Sequence, residues 1–395
     1  MGANGQINLH KNRKKLGPSG HPMSEVNESS DVSLKRETFD SIVDLASELE
    51  RQAGSKLDLV VDPRNLSAEV VTDGDKLDVV VNVPDNGTFP LTDHAHAQVS
   101  DKLKIPKRYY DRMRLSKPDL LAENVNEWLQ EDTPRLLRIL EVFPGDGLKV
   151  RAFLSDRYRV LDNHGLLGAS LQALKGIKEN GVDVDIVRTS LTETNMFIKA
   201  RSPSLGVDFG ERGEVHPGII ISNSEVGSGG VNVSPFFYFL ACSNGLISEQ
   251  KFGKIHLGSK LELGELVSQQ TQSLEDAAVW SSINDLISGT FDAKGFDVLM
   301  EQLRQTTERD VFNPVEAVNN VVKEFKLPEG HMETLLSEFS TSRDYTQWGL
   351  FNAVTAVGKT VGGENHRVEW EKVGGKIAVM DGGQFERLSP LPTGA

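Results

Sequence analysis

The sequence predicts an α+β fold: an antiparallel, hairpin-based sheet domain with packed helices, followed by a mainly helical C-terminal region. Three observations predict it. Two tight-turn signals, Asp73-Gly74-Asp75 and Pro144-Gly145-Asp146-Gly147, each lie between strand-like runs, the pattern of a hairpin. Strand-like runs dominate from about residue 135 to 258. After about Gly258 the apolar residues switch to helical spacing. With 395 residues the chain can hold two cores of ordinary size. The expected organisation is a disordered tail over 1–35, an α+β core over 36–258, a helical region over 259–380 and a flexible tail over 381–395.

The first 35 residues mix Gly, Asn, Ser and Pro with the basic run "HKNRKK" and bury too little apolar area to offset ordering entropy. Thr38 reads as a helix cap ahead of Phe39, Ile42, Leu45 and Leu49. "KLDLVVD" reads as a strand, and "AEVVT" and "LDVVVNV" as the arms of the first hairpin. Thr92 can cap a helix carrying Ala95, Val99 and Leu103. Pro106 opens a second helix and Pro118 a third, because proline suits a first turn. The third carries Leu121, Val125, Trp128 and Leu129 as its stripe. "RLLRILEVF" and "LKVRAFLS" form the second hairpin, and "HGLLGASLQALKGI" a helix. "VDVDIVRTSL" pairs with "NMFIKARS", "GIIISNS" with "VNVSPFFYFLA", and "KFGKIHLG" closes the block. Helical spacing then runs over Leu263 to Ile287, Phe296 to Thr307, Val315 to Phe325, Met332 to Phe339 and Tyr345 to Val361.

One cysteine excludes an intrachain disulfide and a cysteine-built zinc site. No apolar run reaches the roughly 18–20 residues that span a bilayer, and no secretory leader is visible, so cytoplasm is the expected location. Net charge is −14, which disfavours nucleic-acid binding over the whole surface and leaves it to a local basic patch.

The stretch "SNSEVGSGGVNVSPFFYFLACSNGLIS", Ser222 to Ser248, holds the cysteine. A thiol nucleophile needs a base within reach and a depressed pKa, and no histidine stands in a recognisable partner motif. Between apolar neighbours Cys242 reads as a small buried hydrophobe. Asn244-Gly245 reads as a turn. "EVGSGG" matches neither P-loop nor dinucleotide spacing and precedes a strand, so it reads as a flexible hairpin loop. His94 and His96 diverge by roughly 200° on a helix and cannot share a metal. The acidic pairs Asp183 with Asp185 and Glu211 with Glu214 read as solvated. No catalytic residue, metal site or cofactor is expected.

The richest chemical signal is "HAHAQVSDKLKIPKRYYDRMR". Two short helices about Lys104-Ile105-Pro106 resemble a helix-turn-helix. From Asp101 to Lys117 seven bases meet two acids, and from Pro134 to Arg159 six meet three. Lys102, Lys104, Lys107, Arg108, Arg112 and Arg114 would neutralise phosphates, and Tyr109 or Tyr110 would stack on unpaired bases. Strand alternation would place Lys149 and Arg151 on one face, with Arg157 and Arg159 extending the track. The alternative is arginines paired with the chain's own surplus acids.

Four stretches in order, "AQVSDKLKIPKRYYDRM", "VRAFLSDRYRVLDNHGLL", "IISNSEVGSGGVNV" followed by "LACSNGLI", and "WGLFNAVTAVGK", resemble a phage/plasmid-like family of unknown function. The resemblance covers roughly residues 90–360. It marks Asn223, Ser224 and Gly227 of the loop, Asn244 and Gly245, and Asn352 to Thr355 as family motifs without assigned roles. Its setting among replication and recombination genes of mobile elements implies, by association, a non-enzymatic protein of the bacterial host cytoplasm. It would bind nucleic acid, single-stranded DNA foremost, in replication, recombination or annealing. The alternative is an acidic interaction protein that antagonises or recruits a host factor. A phage or host protein, or a second copy of the chain, remains open as partner.

Overall fold

The computed structural model describes residues 37–73, 76–240, 244–248, 253–254, 269–291 and 293–391. The tail over 1–35, Cys242 and most of "KFGKIHLG" lie outside these residues. Within them the chain is α+β: antiparallel sheets, with strands in the N-terminal half and helices in the C-terminal region.

Thr38 is not a helix cap. Thr38–Phe39 forms a short strand, β1, pairing with Ser190 and Thr189, and the cap is Ser41, whose hydroxyl accepts from the Asp44 N–H at 3.2 Å. Helix α1 (Ile42–Ser55) then buries Leu45 and Leu49 as its spacing dictates. Strand β2 (Leu57–Val61) follows, and the first hairpin is β3 (Ser67–Asp73) on β4 (Lys76–Val83), with β5 (Gly87–Pro90) as third strand. Helices α2 (Asp93–Lys102), α3 (Lys107–Ser116) and α4 (Pro118–Leu129) begin at the expected residues. The second hairpin, β6 (Arg135–Glu141) with β7 (Leu148–Ser155), joins β2 in a three-stranded sheet.

After α5 (Asn163–Glu179) comes the main sheet, ordered β1, β8 (Asp185–Leu191), β9 (Met196–Arg201), β11 (Glu214–Asn223), β12 (Asn232–Phe239) and β13 (Asn244–Ile247). Short strands β10 (Val207–Asp208) and β14 (Gly253–Lys254) pair with β11 and β12. Asn244-Gly245 is therefore strand, not turn: Asn244 pairs with Phe239 and Gly245 with Tyr238. Glycine is required there by close approach, because an added Cβ would meet the Phe236 ring at 2.4 Å.

The C-terminal helices are α6 (Gln269–Thr290), α7 (Ala293–Thr306), α8 (Pro314–Glu324), α9 (Met332–Ser342), α10 (Gln347–Thr360), α11 (Glu364–Ala378) and the short α12 (Gly382–Phe385). Helix α11 went unforeseen. Its Gly374 and Gly375 let it lie directly on its neighbours: a Cβ on Gly375 would sit 1.8 Å from the Ile247 carbonyl oxygen. Nor is the segment from 381 loose up to 391. Asp381 and Gln384 form a capping box, and Phe385 and Leu388 are buried.

The cores do not divide near residue 258. One cluster joins Ile198, Ile219, Ile221, Phe237 and Phe239 of the main sheet to Leu45, Leu166 and Leu174 on one side of that boundary and Phe339, Phe351 and Ile377 on the other. A second cluster packs β3–β5 and α2–α4 with Leu137, Ile139, Val150 and Phe153 of the second hairpin. Each such side chain contributes roughly 1.5–3 kcal/mol by leaving water. Among the described residues no helix is long and apolar enough to cross a membrane.

Candidate functional site

The α2–α3 hairpin is built from local signals. Thr92 accepts from the Ala95 N–H at 3.2 Å and starts α2. The turn lacks glycine, and Lys104 takes the left-handed conformation (φ 57°) in its place. Ser100 closes the turn from both ends: its carbonyl accepts from the Ile105 N–H at 2.9 Å, and its hydroxyl donates to the Ile105 carbonyl at 2.7 Å. Ile105 and Met113 are buried, so α3 must present its opposite face to solvent.

That face carries much of the expected cationic surface. Lys102, Lys104, Lys107, Arg108 and Arg112 are exposed, with Tyr109 exposed at 47%. Lys102 pairs with Asp101 at 3.3 Å and Lys107 with Asp111, both on the surface where such pairs exchange with solvent. Lys104, Arg108 and Arg112 make no ion pair among the described residues. Arg108, Arg112 and the 85% exposed Leu115 recur at helical spacing on one stripe.

Three expected contributors are withdrawn from it. Tyr110 is 1% exposed and its hydroxyl lies 2.8 Å from His96 Nδ1, so it cannot stack on a ligand. Arg114 reaches back to Asp78 through two bonds of 2.8 Å and to Asp93 at 2.7 Å. These carboxylates, Asp78 foremost, raise its pKa further. Arg151 is 1% exposed, donating to Glu225 at 2.7 Å and to the Glu193 carbonyl at 2.9 Å. Strand alternation failed as a guide because β7 is buried on both faces. Arg157 is exposed and Arg159 half-buried beyond β7, each with a contact inside the chain. The two basic segments therefore do not make one continuous track through Arg151 and Arg114.

His96 shows how closed the hairpin interior is. Burial, reinforced by the Arg114 guanidinium, lowers its pKa to about 4, although Asp78 lies 3.7 Å from Nε2 and pulls the other way. An unfolded histidine titrates near 6.5, so between these values the unfolded chain binds more protons. Stability should be full above about pH 6.5 and fall toward pH 4, by on the order of 3 kcal/mol. Urea midpoints at pH 7 and 4.5 should therefore diverge more for the wild type than for His96→Asn. Equal divergence would remove His96 as the cause.

The glycine-containing loop is no free hairpin tip over its first half. Asn223, Ser224, Glu225 and Val226 are buried. Asn223 donates to the Leu161 carbonyl at 2.8 Å and to Asn163 Oδ1 at 2.9 Å. Ser224 Oγ accepts from the Ser228 N–H at 3.0 Å, and Tyr158 donates to the Ser224 carbonyl at 3.2 Å. The Val226 carbonyl accepts from Gln98 at 2.6 Å, and Gly227 (φ 82°) passes so close to Leu154 that a Cβ would lie 2.8 Å away. Glu225 accepts from Arg151 and from the Asn163 N–H, beside Arg138, which is buried and bonded to Asp58 at 3.0 Å and Asp162 at 2.8 Å. Burial disfavours charge on Arg138, but Glu225, Asp58 and Asp162 outweigh it and raise the pKa. These motif residues clamp the second hairpin to the main sheet.

A second charged site lies on the outer face of the main sheet, under α11. Lys199 is 2% exposed and donates to Glu371 at 2.6 Å and Glu364 at 3.4 Å. Arg188 grips Glu364 at 2.7 and 3.0 Å, and Arg367 reaches Glu371 at 3.3 Å. Burial favours the neutral Glu364, but Lys199 and Arg188 outweigh it and hold the carboxyl below its usual range. A lysine inside the apolar run "NMFIKARS", and Glu364, Arg367 and Glu371 at helical spacing, were the signals available for this site. Among the described residues no cluster of three metal-ligating side chains occurs. No protein-family model, curated protein or solved structure matches the chain.

Proposed function

We propose that the protein binds nucleic acid, single-stranded DNA foremost, on the solvent face of α3. The observation that carries this reading is a helix face that exposes Lys107, Arg108 and Arg112 on a chain of net charge −14, its Arg108 and Arg112 without ion-pair partners among the described residues and Tyr109 beside them. Guanidinium groups suit phosphate oxygens, and an exposed tyrosine ring can stack on a base whatever its sequence. The likeness to phage and plasmid proteins adds a setting, replication, recombination or annealing of a mobile element in a bacterial cytoplasm.

Fluorescence anisotropy with a labelled oligothymidylate at low salt tests it. Arg108→Glu combined with Arg112→Glu should weaken binding at least about tenfold. It should also flatten the salt dependence by roughly 0.7 logarithmic units per lost phosphate contact. Both side chains are exposed, so melting temperature should stay unchanged. Unaltered affinity would show that α3 is not the interface. Absent DNA binding together with one stoichiometric protein from host lysate would instead favour the acidic interaction protein.

A further inference from the structure

We infer that the cleft on the outer face of the main sheet, between β8, β9, β12 and α11, binds a phosphate monoester through Arg188, Lys199, Lys359 and Arg367. The cleft encloses about 290 Å³, at the small end of ligand sites, room for a phosphate and the group attached to it. Its lining holds these four bases against one carboxylate, Glu371, in a chain of net charge −14.

The bonding pattern leaves donors unused. Arg188 engages Glu364 through Nε and Nη2, and Arg367 engages Glu371 through Nε. The Nη1 group of Arg188 and both Nη groups of Arg367 thus have no acceptor among the described residues. Glu364 and Glu371 together answer three cations, Arg188, Lys199 and Arg367, so positive charge stays in excess. Half-enclosed by protein, that excess acts at lower effective dielectric than on the open surface, which strengthens its hold on an anion. A phosphate monoester, with several acceptor oxygens around one centre, meets both the excess charge and the spare fork-shaped donors. Nearby, the Arg201 guanidinium stacks 4.8 Å from the ring centroid of Tyr238, a further wall of the cleft, and keeps its own Nε buried without a partner.

This site is separate from α3, and its test is chosen to be so. Isothermal titration with deoxyadenosine 5′-monophosphate, with unphosphorylated deoxyadenosine, and with short oligonucleotides bearing a 5′-phosphate or a 5′-hydroxyl distinguishes a free nucleotide from a strand end. Saturable binding that requires the phosphate is expected in one or both arms. Lys359→Gln and Arg367→Gln should each weaken it tenfold or more, while Arg108→Glu with Arg112→Glu leaves it unchanged. Lys359 is exposed, so Lys359→Glu keeps the test open should Arg367→Gln fail to fold. No saturable binding of any phosphorylated probe up to the millimolar range, or binding indifferent to both substitutions, would overturn the assignment.

Discussion

Glu225→Ala is expected to lower stability by about 3–5 kcal/mol, the cost of removing one partner from a buried ion pair. Arg151 would keep only the Glu193 carbonyl as acceptor while remaining 1% exposed, and Arg138 would lose the nearest carboxylate of the loop. The Asn163 N–H at the start of α5 would lose its acceptor as well. Because the loop joins the second hairpin to the main sheet, melting should begin there, seen as early hydrogen exchange of β6 and β7. Glu225→Gln keeps an acceptor without the charge and should fall between. Combining Glu225→Leu with Arg151→Met should recover part of the loss, since an apolar pair carries no desolvation penalty. A melting temperature for Glu225→Ala within about a degree of wild type would mean the network does not hold the loop.

Lys199→Met should cost about 3 kcal/mol, the low end of the same range. The smaller figure follows from redundancy: Glu364 keeps Arg188 and Glu371 keeps Arg367. The penalty should be largest at neutral pH and shrink in acid, because Lys199 helps hold the Glu364 carboxyl below its usual range and that contribution is lost as the pH falls through the folded value. Thermal melting of wild type and variant at pH 7 and pH 4 measures that difference. A penalty independent of pH would assign the loss to the contact of the ammonium group over the Phe236 ring instead.

The most legible parts were those written in contiguous residues. Thr92, Pro106 and Pro118 mark helix starts because a cap or a first-turn proline acts within three or four residues. Asp73 and Lys76 pair across the first hairpin as its turn signal implies. The same local rules misplace Thr38, because its strand partner Ser190 lies some 150 residues away and outcompetes a cap. They misread Asn244-Gly245 for the same kind of reason, a glycine needed for the passage of Phe236 rather than for positive φ.

The cationic surface divides along a similar line. Arg108 and Arg112 belong to a basic helix that spacing already marks, whereas the choice between Tyr109 and Tyr110 stays open in the sequence until the structure buries Tyr110 and exposes Tyr109. Arg114 shares their basic run but stands one turn toward Asp78, a residue of β4 that no spacing rule connects to it. Arg151 looked like the solvent side of a strand until the loop carrying Glu225 covered it.

Helix and strand identity, the hairpins and the charge of α3 thus follow from residues a few positions apart, where capping, periodicity and turn chemistry operate. Which cations stay in water and which are consumed by carboxylates, and the gathering of Arg188, Lys199, Lys359 and Arg367 around one cleft, depend on partners up to about 180 residues distant. Those pairings arise only when the sheets close, because electrostatic contact acts over a few ångströms of space and carries no mark in chain spacing.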